Sequence, residues 1–254
     1  MTESVTVEDR VLRIRVSRGR HGTLDGDAMP AGVRALRAVD PDRTGAVLLV
    51  GDEGVFCTGG DVRAFAGAAD RAAYVGALAG AFHEFLGAMV EAPVPVVAAV
   101  QGWAAGAGMS IVLAADLAVG GRSTKLRPAY PGIGFSPDGG MSWTLPRIVG
   151  AGKARHMLLT DRVVGAAEAL DLGILAAVVD DADVLAEAES TARKLAAGPT
   201  RALGRIKTLL AASPDRPLAE HLPAEAASIA ACAAGPEGTE GLAAFGEKRA
   251  PKFW

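Results

Sequence analysis

Three glycine-bearing segments, one aspartate and one helical histidine are where this chain could do chemistry. The first segment is Phe56-Cys57-Thr58-Gly59-Gly60-Asp61-Val62. Its adjacent glycines let backbone N–H groups approach a ligand atom with no side chain in the way. The same residues also suit a tight turn leading into a helix capped by Asp61. The second segment is Gln101-Gly102-Trp103-Ala104-Ala105-Gly106-Ala107-Gly108-Met109-Ser110, placed just before a helix-like run. A helix N-terminus offers unpaired N–H donors and the positive end of a dipole, a natural stabiliser of an oxyanion. The third, Gly132-Ile133-Gly134-Phe135-Ser136-Pro137-Asp138-Gly139-Gly140, sets Asp138 between proline and glycine. There it could cap a helix or move a proton. Ser110 with His83 could form a nucleophile and base, but no Gly-x-Ser-x-Gly elbow surrounds the serine. His83 follows Phe82 at the edge of an apolar helical face, where a histidine needs no function. Cys57 and Cys232 are too few for a zinc site or a disulfide framework.

The elements that must hold these residues alternate in type. Val11–Val16 alternates apolar and basic residues, as a strand with one wet face does. Asp27 is placed to cap a helix running to about Val39. Ala46–Val50 and Pro95–Val100 are continuous apolar runs, expected of strands buried on both faces, and Leu117–Val119 resembles a third. Between them, Tyr74, Leu78, Phe82, Phe85 and Met89 recur at helical spacing from Asp70 to about Val90. The second segment's Gly-xxx-Gly-x-Gly spacing resembles the glycine loop of short-chain dehydrogenases. It does not follow the first strand, however, and no Tyr-xxx-Lys pair exists: Tyr74 is followed by Leu78 and Tyr130 by Gly134. A nicotinamide enzyme is therefore set aside. After about residue 180 the pattern becomes wholly helical, over Asp181–Ala197, Pro199–Ala212, Pro217–Ala234 and Pro236–Phe245, with proline near the start of three of them. An α/β core over residues 1–197 and a helical region over 198–254 are expected.

Composition bounds the function classes. The 254 residues carry 26 Lys+Arg and 29 Asp+Glu, a net charge of −3, which leaves no basic footprint for nucleic acid. Half the residues are hydrophobic, enough for a sizeable core and too many for intrinsic disorder. The N-terminal ten residues are polar with no signal-peptide core, and no run reaches the roughly 18 apolar residues of a membrane span. Sparse cysteine fits a reducing, cytoplasmic setting. A soluble protein with no nucleic-acid or membrane partner is expected.

Taken together and in order, the three segments resemble the crotonase (enoyl-CoA hydratase/isomerase) superfamily. Gly165–Ile174 looks like that family's A-x-x-A-x-x-x-G-L-V segment, and Gly241–Phe253 like its C-terminal ending. The resemblance covers nearly the whole chain, although the family's usual Arg-Pro and Asn are absent from Arg18–Asp25. It implies a spiral of ββα units followed by helices that assemble trimers or hexamers. It also implies an acyl-CoA thioester as substrate, with coenzyme A as part of that substrate and no permanently bound cofactor or metal.

By position, the resemblance assigns the oxyanion-binding amides to Gly60 and Ala107. It makes Cys57, Gly59, Asp61 and Val62 candidate neighbours of the coenzyme, and Gly106, Ser110, Tyr130 and His83 candidates at the substrate. Family hydratases use two glutamates to hold and activate water, and the matching positions here are Ser110 and Tyr130. Neither is a carboxylate, so two-glutamate hydration is disfavoured. Asp138 matches the aspartate of the family's double-bond isomerases, including the ring-opening isomerase of phenylacetate degradation, which the C-terminal half resembles most. An isomerase with Asp138 as acid/base is therefore expected. The family's aromatic dehalogenase also pairs a histidine at the spacing of His83 with a nucleophilic aspartate matching Asp138, and has tryptophan where Tyr130 stands. Hydrolysis or dehalogenation through Asp138 and His83, and an acyl-CoA-binding protein without catalysis, are the alternatives.

Overall fold

The computed structural model describes residues 4–254; Met1 to Glu3 of the polar N-terminal stretch lie outside the described residues. Its central sheet has six strands in the order β1-β2-β5-β6-β8-β11. These are β1 (Val5–Glu8), β2 (Val11–Arg15), β5 (Ala46–Val50), β6 (Val96–Val100), β8 (Leu117–Gly121) and β11 (Ala177–Val179). The β1–β2 pair is antiparallel and the rest of the ladder is parallel. The runs read as doubly buried strands are so: every residue of β5 and of β6 is buried.

Period-two alternation sends their side chains to two cores. Leu12, Ile14, Val47, Leu49, Val96, Ala98 and Val100 face the larger one. Helices α1 (Ala28–Arg37) and α3 (Arg71–Glu91) cover that side. On the other side Ala46, Leu48, Val50, Val97 and Ala99 meet α8 (Val184–Ala196). Val184, Ala188, Ala192 and Ala196 recur every fourth residue on α8, a narrow stripe of mostly small side chains that lets the helix lie close to the sheet.

Short strands build a second layer beside the main sheet. Strands β7 (Trp103–Ala105), β9 (Lys125–Arg127) and β10 (Val164–Gly165) form a three-stranded sheet, and β3 (Ser17–Arg18) pairs with β4 (Thr23–Leu24). Residues 56–58 run alongside 101–105: Phe56 N–H donates to Gln101 O (2.8 Å), Cys57 N–H to Trp103 O (3.1 Å) and Ala105 N–H to Cys57 O (2.9 Å). The first two glycine segments are thereby laced together. The remaining helices are α2 (Val62–Gly67), α4 (Ala107–Ala114), α5 (Met141–Val149), α6 (Ala151–Leu159), α7 (Ala166–Asp171), α9 (Thr200–Ala212), α10 (Leu218–Ala234) and α11 (Pro236–Gly246).

Three expectations need correction. Asp27 stands at the N-cap of α1 but its side chain caps nothing. Asp25 does that work, its Oδ1 accepting from the N–H groups of Asp27 and Ala28. Asp138 caps no helix either, because α5 starts after Gly140. Finally, α3 is long and apolar enough by length and composition to cross a membrane; alanine and glycine spread its apolar content, so no continuous run shows it. Its C-terminal half places Phe82, Phe85, Leu86, Ala88 and Met89 in the core.

Candidate active site

A cavity of about 670 Å³ opens where the laced segments meet α3 and the loop from Tyr130 to Asp138. Its floor is backbone. Gly60 and Ala107 both line it, and among the described residues neither amide N–H has an acceptor within the protein. Ala107 is the first residue of α4, so its N–H points out of the helix with the positive dipole end behind it. Close approach of the two segments requires glycine. A Cβ on Gly59 would lie 3.3 Å from Ala105 O and 3.5 Å from Ala107 N, in a residue whose φ is +97°. A Cβ on Gly108 would lie 2.0 Å from Cys57 O.

The wall opposite is apolar and aromatic. Val62 and Phe65 of α2, Val75, Leu78, Ala79 and Phe82 of α3, and Phe135 line it. Phe65 and Phe135 have ring centroids 6.2 Å apart and nearly parallel planes. Among the described lining residues there is a single carboxylate, Asp138.

Asp138 is held from several directions. Its Oδ1 accepts the Tyr130 hydroxyl at 2.7 Å, while Oδ2 has no hydrogen bond among the described residues. Its backbone carbonyl accepts from Met141 N–H (3.2 Å) and Ser110 Oγ (3.3 Å). The next residue, Gly139, donates its N–H to His83 Nε2 at 3.1 Å. Tyr130 is itself buried; burial, then the neighbouring Asp138 charge, push its phenol well above the usual tyrosine value. It therefore stays protonated and acts as a donor.

Asp161, a residue that sequence spacing did not single out, ties down Arg127 and Ala129, which lead into Tyr130. Its carboxylate binds Arg127 through Nε (3.0 Å) and Nη2 (2.5 Å), and accepts from Ala129 N–H (2.7 Å). Ala129 has φ +63°, a left-handed conformation uncommon for alanine. The one available signal was its place in the turn after α6, too weak to assign a role.

Of the residues singled out in the sequence, Gly59, Gly60, Val62, Gly106, Ala107, Tyr130 and Asp138 line this cavity, whereas Cys57, Asp61, Ser110 and His83 do not. Cys57 is fully buried, and desolvation pushes its thiol up to about 12, so it is an inert core residue. Asp61 caps α2, accepting from Arg63 and Ala64 N–H. Ser110 lies buried beneath Tyr130, its Oγ 3.4 Å from the phenol oxygen.

The family model for enoyl-CoA hydratase/isomerase matches residues 6–254 of this chain. The chain belongs to that family. A 4-chlorobenzoyl coenzyme A dehalogenase from Arthrobacter sp. is 32% identical over 249 residues, 96% of this chain and 90% of its own. The 1,2-epoxyphenylacetyl-CoA isomerase of Escherichia coli K12 is 34% identical over 165 residues, 65% of this chain and 63% of its own. Among solved structures, an enoyl-CoA hydratase from Polaromonas sp. JS666 superposes with a TM-score of 0.92 at 32% identity, covering 98% of both chains. The fold is the crotonase fold, and the chain is an enzyme of that family.

Proposed function

We propose that the protein is an enoyl-CoA isomerase, with Asp138 as its acid/base and the Gly60 and Ala107 amides as its oxyanion hole. The observation that carries this reading is that, among the described residues, Asp138 is the one carboxylate lining a cavity whose floor is these two amides. Addition of water by paired carboxylates has no second acid to use, since Ser110 and Tyr130 occupy those places. A single base suffices to move a double bond. Asp138 Oδ2 takes a proton from the carbon next to the thioester carbonyl, and the C–H electron pair shifts to the carbonyl oxygen. The resulting enolate oxygen sits on the two N–H donors. As the electrons return, the protonated Asp138 delivers its proton to the far end of the allylic system, leaving a conjugated 2-enoyl thioester and a carboxylate ready for another turn. Each fixed donor is worth about 10²–10³ in rate, because it points where charge develops.

The aromatic and aliphatic wall suits an apolar acyl group, aryl or alkyl. No cofactor beyond the substrate's own coenzyme A enters the scheme. Leu218, Leu222 and Ile229 of α10 and Leu242 and Phe245 of α11 are exposed, which supports a role in assembly for the helices after residue 197, as a homotrimer or homohexamer. The test of the reaction is to supply a 3-enoyl-CoA and follow the absorbance of the conjugated thioester. Wild type is expected to generate it. Undiminished activity in Asp138→Ala would refute the assignment.

A further inference from the structure

His83 touches the catalytic machinery without touching the cavity. The Gly139 N–H donates to its Nε2 at 3.1 Å, linking positions 56 residues apart in sequence. An accepting Nε2 carries no proton, so the imidazole is neutral with its hydrogen on Nδ1. Gly139 has little freedom to answer any change there. Its φ is +60°, and a Cβ would lie 2.5 Å from Phe82 Cε1 and 2.8 Å from Ser110 Cβ. It is wedged between α3 and α4, and the peptide joining it to Asp138 is held at both ends, its carbonyl by Met141 N–H and Ser110 Oγ and its N–H by His83 Nε2.

We infer that His83 is a positioning residue for Asp138, an inference that rests on the isomerase reading. Its neutral imidazole locks the Asp138–Gly139 peptide so that the carboxylate faces the thioester. Removing that acceptor leaves Gly139 N–H unpaired and loosens one side of the peptide, while Met141 N–H and Ser110 Oγ still hold its carbonyl. The same contact argues against His83 as a water-activating base, because that task needs the nitrogen now occupied by Gly139.

His83→Gln keeps a neutral acceptor of similar reach, and His83→Ala removes it. In His83→Ala, kcat for 3-enoyl-CoA is expected to fall about tenfold, the scale of one hydrogen bond, with KM nearly unchanged. His83→Gln is expected to restore most of that loss. A readout independent of activity is ¹⁵N-histidine NMR, in which the signal lost in His83→Gln, one of four histidines, should report an unprotonated Nε2. An Nε2-protonated His83, or wild-type kcat in His83→Ala, would overturn the positioning role. So would release of free CoA by wild type that both variants abolish, because His83 would then be a base. Lack of isomerisation by wild type would remove the isomerase reading while leaving the tautomer result intact.

Discussion

The oxyanion floor depends on a contact that one methyl group should break. Gly108 is the second residue of α4, and a Cβ there would lie 2.0 Å from Cys57 O and 2.7 Å from its carbonyl carbon. Carbon atoms of that kind do not approach backbone closer than 3.0 Å, so Gly108→Ala must open the gap by about 1 Å. Both contact partners are main chain, and no side chain can swing aside. The atoms that move are next to the two donors: Ala107 precedes Gly108, and Gly60 follows Cys57 by three residues. A misplacement of about 1 Å at a reacting centre costs roughly 10² in rate, and forcing a methyl into packed backbone costs about 1–3 kcal/mol of stability. The assay is kcat for 3-enoyl-CoA isomerisation beside a denaturant titration. Gly87→Ala in α3 serves as the control, since a Cβ there meets nothing within 4 Å; it should leave kcat unchanged and stability equal or slightly higher. Gly108→Ala with wild-type kcat and stability would refute the view that these two segments are held at their closest approach to aim the donors.

Two further predictions concern what holds the frame. Glu237 of α11 reaches the start of α9, accepting from Arg201 N–H (2.9 Å) and Ala202 N–H (3.1 Å); Glu237→Ala should cost about 1–2 kcal/mol, as loss of a helix cap does, read by urea titration. Lys207 is buried with its Nζ 2.9 Å from Asp116 Oδ2 and 2.8 Å from Met89 O. Burial lowers its pKa, with the pair to Asp116 acting in the opposite direction. Between that lowered value and the ordinary lysine range the unfolded chain holds more protons, so this group's contribution to stability grows as pH rises through the window. The stability of wild type relative to Lys207→Met should accordingly increase across the alkaline range, and a flat difference would contradict it.

How much of this was legible in the sequence depends on distance along the chain. Strands β5 and β6 were readable because every position is apolar and buried, so composition alone marks them. The loop glycines were readable because close backbone approach excludes other residues. Strands β7, β9 and β10, of two or three residues, are too short to show a period; neighbouring main chain makes them strands. Asp25 and Asp27 offer the same chemistry at a helix start, and only backbone geometry assigns the cap to Asp25. Asp138 was legible as a candidate acid because it sits between proline and glycine in a loop. Its partners were not: Tyr130 is eight residues away and His83 fifty-five, contacts created by the spiral. Asp161, bound to Arg127 and Ala129, is likewise invisible to spacing.

The central claim is that Asp138 enolises a thioester over the Gly60 and Ala107 amides. Exchange in D₂O tests it most directly: incubate the enzyme with an acyl-CoA, follow deuterium entering the carbon next to the thioester by mass spectrometry, and compare Asp138→Asn. Wild type should catalyse the exchange, whereas Asp138→Asn should bind the thioester with similar affinity and exchange it at least about 10²-fold more slowly, the low end of a general base's contribution. Exchange at the wild-type rate in Asp138→Asn would contradict the account.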